Sequence, residues 1–334
     1  MPTQVYSLLT EIAITSEKNS QLLKRLIETG PNALLAFGLC FAAFASNASG
    51  AANTPTAVKA PLLPQAEWCQ RLVKPMPGVT LATCQNSGLV PTGVLSRNGF
   101  PILARDISAA AGKNPNKKTQ PVRVLLIGGI HGDELTASAI VFQWMQRMRG
   151  PLAQSMQWKI APAINPDGLM AAQPKRVNAR GVDLNRNFPT PGWQQEAPRY
   201  WAKMTHSDPR RFPGLAPLSE PESRWISDTI ESFHPDVIIS VHAPFGVLDF
   251  DGPATPPNRF GRLLYNGVGV YPGSLGNYSG LHKHVPVITI ELPNAKEMPP
   301  EAEVQRIWQD MLGWIKRNVR TQTVTADARV AKAL

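Results

Sequence analysis

The run Val122 to Glu134, VRVLLIGGIHGDE, limits this chain more than any other stretch, because an apolar strand ends abruptly in a His-x-x-Glu pair with glycines on either side of the histidine. From Val122 to Ile127 only Arg123 is polar, and Gly128 and Gly129 permit close backbone approach. The apolar spacing from Leu135 to Met148 then predicts an amphipathic helix. A strand followed by a helix puts His131 and Glu134 at the C-terminal edge of a sheet, where open α/β sheets place their sites. Zn²⁺ takes imidazole nitrogen and carboxylate oxygen in tetrahedral geometry, so the pair is half of a metal site that needs a third ligand. Without one, it is a loop histidine beside a helix-start carboxylate.

FHPDVIISVHAP repeats the pattern, its apolar strand Val237 to Val241 ending at His242. His131, Glu134 and His242 together form the two-histidine, one-glutamate set that leaves a fourth position open for catalysis. A third strand, VPVITIELP, carries Glu291 at its end. Beside a metal this acid becomes the candidate general base; alone it is a solvated strand-end carboxylate. Between these segments lies RVNARGVDLNRNFP, Arg176 to Pro189. Its Arg and Asn residues offer planar donors suited to a carboxylate, which points to a substrate clamp rather than a solvated loop.

The ordered set HGDE, NPDG, GVDLNRNFP, SVHAP and TIELP resembles the zinc metallocarboxypeptidases of the carboxypeptidase A type, and within them the bacterial murein peptide amidase-like branch, from Pro91 to Val319. The resemblance implies one Zn²⁺ held by His131, Glu134 and His242, with Glu291 as general base. It makes Asn185 and Arg186 the pair that holds the substrate's terminal carboxylate, and Asp183 the acid that orients the first zinc histidine. Arg176 matches the arginine that polarises the scissile carbonyl, with Arg180 four positions on as the other candidate. Tyr271 matches the active-site tyrosine, with Tyr278 as the alternative. The implied reaction is hydrolysis of an amide next to a free carboxylate, in this branch the γ-D-glutamyl-diaminopimelate bond of peptidoglycan stem peptides. Diaminopimelate carries a distal ammonium, and Asp249 and Asp251 in VLDFDGP stand where an acid could meet it, unless they are turn residues.

The first fifty residues point to export. Ala33 to Ala45 is an apolar run after Lys24 and Arg25 and gives way to small residues around Ala48, the layout of a signal peptide too short to span a membrane comfortably. The leader of about thirty residues before it is long for a signal peptide; a misassigned start or an uncleaved anchor would account for it. Beyond it remain Cys69 and Cys84, fifteen positions apart; an oxidising compartment makes them a disulfide, a reducing one two buried thiols. Such a loop closure is worth on the order of 3 kcal/mol, enough to pin an N-terminal segment that shows little regular pattern.

These signals divide the chain into a leader at 1–48, a linker and N-terminal segment at 49–90, a catalytic domain at 91–320 ending in an amphipathic helix over 301–319, and a tail at 321–334. The expected fold is α/β: a single-domain, mixed, mostly parallel twisted sheet with helices on both faces. The 32 prolines imply long ordered loops. The net charge of +10 lies outside the leader, whose three acids offset its three cations, and draws the protein to anionic surfaces. No nucleic-acid motif accompanies it, so the expected partner is a peptidoglycan-derived peptide, with no membrane span once the leader is cleaved and an oligomeric state left open. His206, His234, His282 and His284 read as hydrogen-bonded loop groups, and NPDG as a turn. Three alternatives stand beside the wall peptidase: a general carboxypeptidase; a zinc deacylase of N-acyl amino acids, against which the full GVDLNRNFP segment and the chain length argue; and a non-catalytic wall-binding protein, against which the intact ligand set argues.

Overall fold

The computed structural model describes residues 64–110 and 120–319, so the leader, nearly all of the linker and the tail lie outside the described residues. The described residues form one compact unit. Its centre is a nine-stranded sheet: β1 (Val90–Leu95), β2 (Pro101–Ile107), β3 (Arg123–Gly128), β4 (Gln157–Ala161), β5 (Val237–His242), β6 (Val247–Asp251), β7 (Arg259–Phe260), β8 (Leu263–Tyr265) and β9 (Val287–Glu291), in the order β1-β2-β4-β3-β5-β9-β6-β8-β7. The central strands β4, β3, β5 and β9 run parallel, while β2 and β6 flank them antiparallel.

The central strands read as nearly continuous hydrophobic runs because both of their faces are covered. In β3, Val124 and Leu126 enter one core with α1 (Gln65–Val73), α2 (Leu81–Gln85), α3 (Leu135–Gln146) and the C-terminal helix (Glu301–Asn318). Leu125 and Ile127 enter the opposite core, against Ile226 and Ile230 of the helix Pro221–Phe233. Helices therefore lie on both faces.

Two expectations are corrected. The helix α3 is not amphipathic: ten of its twelve residues are buried, because it is enclosed by the sheet, α1 and the C-terminal helix. The described part of the segment before residue 91, from residue 64 onward, is neither irregular nor separate from the main core. It forms α1 and α2, joined by the Cys69–Cys84 disulfide with Cα atoms 5.6 Å apart, and Trp68, Leu72 and both cysteines pack into the main core. Cross-linking and core packing give these short helices the stability that their sequence periodicity does not.

Among the described residues, no helix is long and apolar enough to cross a membrane.

Candidate metal centre and active site

Parallel strands β3, β5 and β9 end together, and their last residues set the site. His242 is the final residue of β5 and pairs in register with Glu291, the final residue of β9. His131 follows β3 on a tight turn: Gly129 takes a left-handed φ of 62°, and a Cβ on Gly132 would lie 2.3 Å from the backbone at Gly168 and Leu169. Only glycine fits these two positions. Glu134 stands at the N-cap of α3, yet its carboxylate makes no cap and turns inward instead.

Three donors converge there. His131 Nδ1 lies 2.8 Å from Glu134 Oε1, His242 Nδ1 lies 3.1 Å from Glu134 Oε2, and the two Nδ1 atoms are 3.2 Å apart. A tetrahedral zinc with bonds of about 2.0–2.1 Å has donor–donor edges of roughly 3.3 Å, so the spacing fits. All three residues are buried, and they form a group able to hold a metal ion.

The donors are fixed from behind. His131 Nε2 lies 3.1 Å from Asp183 Oδ1, and His242 Nε2 lies 3.0 Å from Ser240 Oγ. The Ala243 N–H donates to Glu134 Oε2 at 3.2 Å. Asp183 is the acid that the resemblance expects to orient the first histidine, and its carboxylate lies against His131 Nε2. Ser240 was missed, although its position two residues before His242 on one strand puts both side chains on the same face. Ser240→Ala is expected to weaken zinc affinity by about 10–100-fold with the fold intact; competition against a chromophoric chelator reads it, and unchanged affinity would separate Ser240 from the site.

The electrostatics suit a cation. Burial pushes the Glu134 carboxyl up, but His131 and His242 outweigh it and hold the group far below the usual carboxylate range. Asp183 is also held low against its burial, by Arg176 and then His131. Burial and Arg176 pull the His131 imidazole down, yet Glu134 and Asp183 leave it above its ordinary value. Glu291 moves the other way: burial, with the Glu134 charge added, raises its carboxyl despite the nearby imidazoles.

A cleft of 470 Å³ opens over these groups, and Arg176, Asn185, Arg186, Tyr271, Asp249 and Asp251 also line it. Arg176 Nε donates to Asp183 Oδ2 at 3.0 Å, and Arg176 Nη1 stands 3.5 Å from Glu134 Oε1. Arg180 is half exposed and turns toward Glu220 instead. Arg186 is buried and makes no ion pair among the described residues; its Nη1 donates to the Asn185 carbonyl, and its Nε has no partner. Tyr271 covers it, the ring centroid 4.4 Å from the guanidinium carbon. Tyr278 lies away from the cleft, stacked on Phe188 and hydrogen-bonded to Ser227. Burial, reinforced by Asp249, pushes Asp251 up to about 6, and burial also raises Asp249. His206, His234, His282 and His284 are exposed and outside the cluster.

Sequence reasoning also left the support of Arg176 unseen. Within NPDG, Asn165 accepts from the Gly168 N–H and donates from Nδ2 to the Arg176 carbonyl at 3.0 Å. Asn178 accepts from the Arg180 and Val182 N–H groups, and its own amide donates to Glu220 and Glu222. These buried acids brace the loop that carries Arg176 and Asp183. Burial pushes Glu222 up to about 7, against an ordinary 4.5. A raised carboxyl contributes stability that is complete below pH 4.5 and lost as pH rises through 7, a change of about 3 kcal/mol. Glu222→Gln should therefore melt higher than the parent at pH 8, by at least about 3 °C, and match it at pH 4. Equal melting at both pH values would contradict this.

Comparison with known proteins agrees with the geometry. A family model described as zinc carboxypeptidase matches residues 88–248. Murein peptide amidase A of Escherichia coli strain K12 is 32% identical over 127 residues, 37% of this chain and 50% of that protein. The protein of the same name from Vibrio campbellii is 29% identical over 178 residues, 51% of this chain and 69% of the other. Carboxypeptidase A from Helicoverpa armigera superposes with a TM-score of 0.50 at 20% identity, over 74% of this chain and 70% of its own. The fold and the three-donor cluster define a zinc carboxypeptidase architecture. Residues 88–248 are similar to the zinc carboxypeptidase family, and His131, Glu134 and His242 are the residues arranged to hold a metal ion. The chain spans about half the length of the Escherichia coli relative it matches.

Proposed function

We propose that this protein is an exported zinc-dependent peptidase or amidase that hydrolyses an amide bond next to a free carboxylate, in peptidoglycan stem peptides of the γ-D-glutamyl-diaminopimelate type. The observation that carries the reading is Arg186: a buried cation with no ion pair among the described residues and an unpartnered Nε, lining the same cleft as the three-donor cluster and Glu291. A buried charge is costly unless paired, so this position awaits an anion.

Bound in this cluster, zinc supplies Lewis acidity toward water and a carbonyl oxygen. Arg186 and Asn185 hold the terminal carboxylate of the substrate and set its register in the cleft. Arg176, pinned by Asp183, presents its charge where an amide oxygen becomes negative. Glu291, raised by burial, accepts a proton from water and delivers it to the departing amine. Tyr271 closes over the carboxylate end.

The substrate assignment rests on three supports. The Escherichia coli and Vibrio campbellii relatives carry the name murein peptide amidase. Asp249 and Asp251 put two carboxylates in the cleft, one of them raised by burial and then by its neighbour's charge, a pairing that a substrate ammonium relieves. Export is supported by the leader pattern and by the Cys69–Cys84 disulfide, which suits an oxidising compartment.

The experiment is to incubate purified protein with the wall-derived tripeptide, an N-succinyl amino acid and a hippuryl peptide, with and without a chelator. Chelator-sensitive release of diaminopimelate from the tripeptide is the expected result; hydrolysis confined to the N-succinyl compound would overturn the reading.

A further inference from the structure

A second cavity, of 420 Å³, adjoins the catalytic cleft, and Arg176 and Arg210 line both. Its apolar lining includes Trp201, Phe212, Val177 and Pro209. Trp201 and Phe212 meet edge to face with centroids 5.0 Å apart, and both are half-buried. The Trp201 indole N–H is already donated to the Asp208 carbonyl at 2.8 Å, so what the ring offers the cavity is apolar. The charged residues around it are all cations: Lys175, Arg176 and Arg210. Arg176 is engaged with Asp183 and Glu134, and Arg210 pairs with Asp133. Lys175 is exposed and makes no ion pair among the described residues.

The position of this cavity along the substrate follows from the site. Arg186, Tyr271 and Asp251 line the cleft but not this cavity, so it lies beyond Arg176 from the end that holds the terminal carboxylate. A substrate anchored at Arg186, with its scissile carbonyl at Arg176, extends its acyl side this way. The floor is tied to the catalytic loop, since the Asp183 N–H donates to the Phe212 carbonyl at 2.8 Å and the Lys175 N–H to that of Gly168 at 2.9 Å. Tethering of this kind preorganises the surface.

We infer that this cavity is the acyl-side subsite of the enzyme, taking a group that carries a free carboxylate, held at the rim by Lys175 and Arg210, with its apolar or ring face on Trp201 and Phe212. The inference rests on the peptidase reading above and deepens it. In a γ-linked glutamyl peptide the α-carboxylate of the glutamyl residue stays free one step upstream of the scissile bond, which is the charge this rim complements.

The test uses three synthetic peptides with the same C-terminal residue: one with the full acyl side and its carboxylate free, one with that carboxylate amidated, and one with acetyl alone as the acyl group. The parent protein should prefer the free carboxylate over the amide by about tenfold in KM. Lys175→Glu should remove that preference and leave the acetyl peptide within about twofold, while Trp201→Leu should weaken both long peptides by about tenfold relative to the acetyl one. Equal KM for free and amidated peptides in the parent, or equal losses on long and acetyl peptides in both variants, would overturn the subsite. Calorimetric titration with the carboxylate-bearing acyl fragment gives a readout without turnover. If no peptide is hydrolysed, the peptidase reading fails, and loss of fragment binding in Lys175→Glu, or its persistence, still decides the subsite.

Discussion

Glu291→Gln should bind zinc with the affinity of the parent and lose about 10²–10⁴ in kcat, the range typical of a removed general base. The separation of the two readouts follows from the layout. Glu291 stands on β9 beside His242 on β5, yet it is not one of the three converging donors, and its polar contact is a long one, 3.5 Å from the Phe245 N–H. Glutamine preserves the volume and the neutral form that burial favours, so the cleft keeps its shape while the proton acceptor is gone. The same residue sets a pH signature. A base must be ionised to act, so parental activity falls as pH drops through a carboxyl pKa raised above the ordinary 4.5. That acid limb should vanish in the variant's residual activity. Near-parental turnover in Glu291→Gln would remove the residue from the chemistry.

The second large effect is expected at Arg186. Truncating one partner of a buried charge pair costs about 2–5 kcal/mol, so Arg186→Ala should lower kcat/KM on a substrate with a free terminal carboxylate by about 10²–10³. On the same substrate amidated at that carboxylate, parent and variant should be nearly equal, because neither can form the pair. Arg186→Lys keeps the charge but not the planar fork and should recover part of the loss. Equal losses on both substrates would mean that Arg186 is structural, for instance through its stacking under Tyr271, and that the carboxylate binds elsewhere.

Much of this site could be read along the chain because its signals are local. A strand that is apolar to its last residue and then presents His131, His242 or Glu291 needs no knowledge of its neighbours to be noticed. The sheet brings these ends together because β3, β5 and β9 are adjacent and parallel. What stayed hidden depends on contacts between distant segments. Ser240 supports His242 through strand alternation and was legible in principle, but Asn165 bonding the Arg176 carbonyl, and Glu220 and Glu222 gripping Asn178, join segments eleven to forty-four positions apart. The helices α1 and α2 were read as irregular because their order comes from the disulfide and from Trp68 and Leu72 in the main core. The burial of α3 on nearly all sides was misread for a related reason: Thr136 and Ser138 look polar in sequence but are enclosed in the structure. The antiparallel insertion of β6 beside β9 has no local signature at all.

Metal analysis tests the central claim most directly. Protein purified without chelator, then dialysed against zinc and freed of excess, should hold one zinc per chain, and His242→Ala, folded by circular dichroism, should hold almost none at the same zinc activity. A parent that binds no zinc, or a His242→Ala variant that binds it as the parent does, would contradict the assignment of His131, Glu134 and His242 as the metal centre.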